Sequence, residues 1–115
     1  MAIDGRNFEF TPALCAVDFN DSILVHGPGK EVGAAEPSYL DVDITFLDGE
    51  THGEFRIDIG VDGQFRSSED MLAAGDRGNG ALAMAESGSV VTLTAPGWNS
   101  RGDDVGEASL TFDCG

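Results

Sequence analysis

The side chains that could carry chemistry here are two cysteines, two histidines and a large excess of carboxylates. Asp41, Asp43, Asp48, Glu50, His52 and Asp58 crowd one stretch and would supply the several oxygens that a hard cation such as calcium requires. Their spacing does not follow the EF-hand template. Asp41 and Asp43 also occupy alternate positions of a strand-like run, where outward side chains diverge rather than converge. The stretch therefore reads as an acidic, solvated face, and no metal site is expected. Zinc would need four ligands at characteristic spacings, and nothing places His26 or His52 beside the cysteines. His26 at a strand end and His52 in a turn read as ordinary surface residues.

Nucleophilic and phosphate-binding patterns fail in the same way. No serine sits in a Gly-x-Ser-x-Gly elbow. Gly27-Pro28-Gly29-Lys30 suggests a phosphate loop, but its third glycine, Gly33, comes one residue late and no helix pattern follows. A Walker loop would also need Ser or Thr after Lys30, where this chain has Glu31. Paired carboxylates are too numerous to single out an acid and a base. No catalytic residue and no cofactor is expected, and the reading is of a non-enzymatic domain.

Charge narrows the partners. With 21 Asp+Glu against 6 Lys+Arg, the net charge is −15. Phosphate backbones are bound by Lys and Arg displacing counterions, so nucleic acid is excluded as a partner. Anionic lipid headgroups are disfavoured for the same reason, whereas a basic partner or divalent cations would be attracted. No run is long enough to span a bilayer. The N-terminus lacks the basic and apolar regions of a signal peptide, which leaves a cytosolic protein or a mature domain preceded by a new Met1.

The elements that must position these groups are short strands. At 115 residues the chain suits one domain, residues 1–115, with one core. Leu40, Val42, Ile44 and Phe46 alternate with polar residues, as do Phe55, Ile57, Ile59 and Val61; each set describes a strand with one buried and one wet face. Matching their inward faces sets Ile44 opposite Phe55, Val42 opposite Ile57 and Arg56 opposite Asp43. Similar alternation runs through Phe8 and Phe10, through Ala13, Cys15, Val17 and Phe19, and through Ala108, Leu110, Phe112 and Cys114. Ile23–His26, Ala81–Ala85 and Ser89–Ala95 complete the clear strands, and Gln64–Arg66 can start another. Asp4-Gly5 is a tight-turn signal. Gly27–Pro37, Gly75–Gly80 and Pro96–Asp104 read as loops. Ser68–Gly75, with a Ser cap, early acids and a terminal Gly, is the one helix-like stretch. The expectation is an all-β, antiparallel β-sandwich of about seven to nine short strands with at most one short helical turn.

Within that frame Cys15 and Cys114 lie near opposite ends of the chain, each on the apolar phase of its strand. This favours a structural disulfide over the alternative of two buried free thiols. Trp98 in a Pro-Gly-Trp-Asn loop, and Tyr39 and Phe65 if partly exposed, would suit a partner or a sugar, since an aromatic side chain offers area at low entropic cost. Trp98 could equally plug one end of the sandwich.

Ile3-Asp4-Gly5-Arg6, the early Leu14-Cys15, the glycine-rich middle, Ser89–Gly97 and the terminal Ser109-Leu-Thr-Phe-Asp-Cys114-Gly115 together resemble the mycobacterial nineteen-kilodalton lipoprotein antigen family. The resemblance implies an exported, antigenic domain tethered to the outer face of an actinobacterial membrane through an acylated N-terminal cysteine. Of its residues only the pair Cys15 and Cys114 carries over. This chain lacks the anchor cysteine, leader and Ser/Thr-rich linker, and is far more acidic. The reading is thus a cell-envelope or secreted surface module with an unknown protein, lipid or glycan partner. The alternatives are a binder of a small apolar ligand between the sheets, with Met71–Gly80 as lid, and a cytoplasmic interaction module.

Overall fold

In the computed structural model, residues 1–18, 20–63, 68–76 and 82–114 are described. They form ten strands: β1 Ala2–Ile3, β2 Arg6–Phe10, β3 Leu14–Asp18, β4 Ser22–Glu31, β5 Pro37–Leu47, β6 Glu50–Ile59, β7 Met71–Gly75, β8 Ala83–Ser87, β9 Val90–Asn99 and β10 Asp104–Asp113. All the pairings are antiparallel.

The sandwich expectation is corrected. The sheet follows β10-β1-β2-β4-β5-β6-β7-β9, and β9 pairs again with β10, so eight strands close into an antiparallel β-barrel. The closure depends on the shortest strand. β1 pairs with β10 through Ala2 and Ser109 on one side, and with β2 through Ile3 and Arg6 on the other. A two-residue strand carries no periodicity, so closure leaves almost no trace in the sequence pattern.

The two remaining strands explain why the chain reads as two layers. β2 and β3 both pair with β4, at Gly29–Glu31 and Ser22–His26 respectively, so they are two halves of one line interrupted at residues 11–13. β7 and β8 lie along β9 in the same way. At one end of the molecule the barrel is complete. At the other, β3-β4-β5-β6 and β8-β9-β10 part, and among the described residues no ladder joins β3 to β10 or β6 to β8. These are two seams in an otherwise continuous sheet.

The first seam is closed covalently. Cys15 on β3 and Cys114 just past β10 form a disulfide, with their Cα atoms 5.4 Å apart. Both are half-buried against the core.

The barrel interior holds Ile23, Leu40, Ile44, Phe55, Ile57, Leu93 and Leu110, each with no accessible surface. Inward and outward residues alternate as the sequence suggests, since a pleated strand turns successive side chains to opposite faces. Asp4 and Gly5, with φ of 53° and 70°, form the expected two-residue hairpin turn.

The hairpin register is corrected by a similar turn. Asp48 and Gly49, with φ of 52° and 78°, connect Leu47 directly to Glu50. The strands therefore run to the tip, and Val42 faces Phe55, Leu40 faces Ile57 and Asp41 faces Arg56. Asp43 faces Glu54 instead of Arg56.

Three further readings change. Residues Met71–Gly75 form a strand buried at all five positions, not a helical turn or a lid. Ser68 caps no helix; its amide donates to Asp58 Oδ1 and its hydroxyl to the Ile59 carbonyl. Much of the expected Gly27–Pro37 loop is strand, because β4 continues to Glu31, and β9 continues through Trp98 to Asn99. Phe19, Gln64–Arg66 and residues 77–81, including most of the Gly75–Gly80 loop, lie outside the described residues.

Candidate functional site

The polar residues singled out in the sequence fall on the outer face of the barrel in two places. The first is a row that crosses the strands. Leu14 faces His26, His26 faces Asp41, Asp41 faces Arg56, Arg56 faces Ala73, Ala73 faces Trp98 and Trp98 faces Asp104. Each strand contributes one outward residue because the ladders are in register. Tyr39 and Asp58 lie opposite each other in the adjacent row. Tyr39 and Trp98 are three strands apart, about 14 Å at ordinary strand spacing, so they make no common aromatic platform.

Bonds from this row to the adjacent one occupy several of its polar atoms. Tyr39 is buried at 7% exposure and its hydroxyl lies 2.8 Å from His26 Nδ1, with the two rings stacked. Burial pushes the Tyr39 phenol above its usual range, and the nearby Asp41 adds to this. A ring so covered offers no stacking face to a sugar. Trp98 is half-buried within β9 rather than displayed on a loop.

Arg56 grips Asp58 with two bonds, Nε to Oδ2 at 2.8 Å and Nη2 to Oδ1 at 2.7 Å. Asp58 is buried at 2% exposure and accepts the Ser68 amide as well, so it fixes the chain after β6 onto the sheet. This is a buried carboxylate neutralised by its own strand neighbour, two residues away. Asp41 sits beside the pair, and its carboxyl is raised above the usual range, chiefly by burial, with His26 acting in the opposite direction.

The second place is the apex of the unstapled seam, where β6 leaves β7. His52 Nδ1 lies 2.6 Å from Asp76 Oδ2, and Nε2 lies 3.0 Å from Glu50 Oε2. Asp76 is buried at 7% exposure, and its other oxygen accepts the Gly53 amide. The Asp76 amide in turn donates to the Gly53 carbonyl, extending the β6–β7 pairing by one step. The hydrogen bond to Asp76 raises His52 above the ordinary imidazole range, against a smaller opposing effect of burial.

With a carboxylate at each ring nitrogen, this arrangement favours the imidazolium form over a free base. A histidine held by Asp at Nδ1 serves general-base chemistry when Nε2 faces a nucleophile. Here Nε2 faces the Glu50 carboxylate, and both nitrogens donate when the ring is protonated. His52 was read as an ordinary surface residue; it is a bridge between two carboxylates. Asp76, its partner across 24 residues, carries no signal because it falls in the Gly75–Gly80 stretch, which reads as loop.

The six acidic-stretch residues do not form one site. Asp43 is exposed opposite Glu54, Asp48 lies at the hairpin tip, Glu50 contacts His52, and Asp58 is held by Arg56. Among the described residues no group of three or more metal-ligating side chains converges. Among the described residues, Phe55, Leu40 and Leu110 have no accessible surface, so no void of water size borders these three side chains.

No family model, curated protein or solved structure matches the chain.

Proposed function

We propose that this domain is a non-enzymatic binding or antigenic module displayed in the cell envelope or secreted, as the resemblance to the mycobacterial lipoprotein antigens implies. The observation that carries the reading is the Cys15–Cys114 disulfide, which joins residues 99 apart in sequence and sits across a seam that, among the described residues, no hydrogen-bonded ladder closes. Bonds of this kind persist outside the reducing cytoplasm. The surface supports the same reading: a net charge of −15 suits a domain that stays soluble and repels anionic surfaces until a basic partner arrives.

The polar clusters also fit a binding role better than a catalytic one. Arg56 pairs with Asp58, His26 Nδ1 with the Tyr39 hydroxyl, and both ring nitrogens of His52 with carboxylates, all within the fold. The experiment is protease treatment of intact producing cells, followed by detection of the domain. Loss of the domain from unbroken cells, or its recovery from the medium, supports display. Protection until the cells are lysed overturns the reading.

A further inference from the structure

We infer that the outer face of β3, β4 and β5 is a docking surface for a cationic protein segment carrying an aliphatic side chain, a step that rests on the binding-module reading above. Leu14 on β3 and Leu24 on β4 are 43% and 44% exposed. The register sets Leu14 opposite His26 and Ala16 opposite Leu24, so Leu14, exposed Ala16 and Leu24 share one outward patch. A contiguous apolar patch within a charged surface marks an interaction site more often than scattered single residues do.

The rim selects the partner. Asp43 lies opposite Leu24 on the next strand, Asp41 lies opposite His26, and exposed Asp18 ends β3. Glu54 stands beyond Asp43 on β6. Arg56, across Asp41 on β6, is already committed to Asp58, and exposed Lys30 lies four residues beyond His26 toward the end of β4. The patch is thus apolar at its centre and anionic around it, and its complement is an aliphatic side chain flanked by lysine or arginine.

The other occupants fit less well. A second copy would bring two domains of charge −15 together. An anionic membrane meets the same repulsion, and the covered Tyr39 ring gives a sugar nothing to stack on. At Cys15 the edge of β3 is already occupied by Cys114, whose Cα lies 5.4 Å away.

The test uses the oxidised, isotope-labelled domain and two blocked synthetic peptides of equal charge, one alternating lysine with leucine and one alternating lysine with glycine. Backbone amide shifts and affinities are read at about 0.15 M salt, where long-range attraction is screened. The expected result is shifts confined to Leu14–Asp18, Ser22–His26 and Asp41–Asp43. The lysine–leucine peptide binds about fivefold more tightly, the worth of burying the exposed half of one leucine. Leu24→Ser removes that preference. Val32→Ser, at a 62% exposed residue away from the patch, changes it less than about twofold.

Equal affinity for the two peptides, or shifts spread over every acidic face, overturns the proposal in favour of diffuse electrostatics. Concentration-dependent dimerisation abolished by Leu24→Ser overturns it in favour of a second copy. If the domain is displayed on cells yet fails this peptide test, the surface assignment falls alone. If it is protected inside intact cells, the display reading falls whatever the peptides do.

Discussion

Replacing both cysteines by serine tests the staple where its effect is largest. β3 and β10 share no ladder, so the Cys15–Cys114 bond is the direct link across that seam among the described residues. Its main effect is on the unfolded chain, which it closes into a loop between residues 99 apart in sequence. The chain-entropy account gives about 4–5 kcal/mol for a loop of that size. For 115 residues the unfolding entropy is about 0.24 kcal/mol/K, so this loss lowers the midpoint by about 15–20 °C. Urea unfolding followed by circular dichroism is the assay, with the oxidised domain, the same domain in reductant and the double variant run side by side. The variant and the reduced protein should coincide. Both should show a steeper urea dependence, because an uncrosslinked unfolded chain exposes more surface. A loss below about 1 kcal/mol with unchanged slope would refute the reasoning, since the bridge would then constrain neither the unfolded chain nor the seam.

Three further outcomes follow from the packing and the charges. His52 is raised by Asp76, so its stabilising contribution is fully present below the ordinary imidazole value and is lost as the pH rises through the raised folded value. Asp76→Asn should bring the His52 titration, followed by NMR, back toward the ordinary range and flatten this pH dependence; an unchanged titration would exclude the clamp. Phe55→Ala deletes the largest fully buried side chain and should cost about 3–5 kcal/mol in denaturant unfolding, whereas a cost under about 1 kcal/mol would mean that the barrel interior is not packed around it. Gly53→Ala places a Cβ against the Asp43 backbone at a φ of 130° and should cost about 1–3 kcal/mol or more, shown by a lower melting midpoint; a neutral result would contradict the strand path at the seam.

The parts of the fold that could be read in advance were those written as local pattern. Leu40, Val42 and Ile44, and likewise Phe55, Ile57 and Ile59, alternate because each strand has a wet and a buried face. The Asp4-Gly5 turn was legible because only a few residues accept two successive positive φ values. What could not be read was set by distant partners. Met71–Gly75 is rich in helix formers, yet it is a strand because β6 and β9 pair along its two edges, and all five of its residues are buried. Gly29 looked like loop punctuation, but β4 passes so close to β2 there that a Cβ would lie 2.7 Å from the Glu9 carbonyl oxygen.

The candidate sites followed the same division. Leu14 and Asp43 fall on the outward phase of visible alternations and Leu24 in the short apolar strand Ile23–His26, but their meeting on one face needed the β3–β4–β5 register. Tyr39 and Trp98 stood out by type alone, and type says nothing about cover: one is sealed against His26, the other is half-sunk in β9. The His52–Asp76 contact joins residues 24 apart at a seam that exists only once the barrel has closed.

The most direct test of the account is the thiol state of the domain taken from the cells that make it. Cells are quenched in acid, and the domain is alkylated under denaturing conditions before and after reduction, then weighed intact. The account predicts a monomer that takes no alkyl group before reduction and two afterwards, from Cys15 and Cys114. Two alkyl groups before reduction would contradict it: the seam would be unstapled in the cell, and the chain would belong to a reducing compartment.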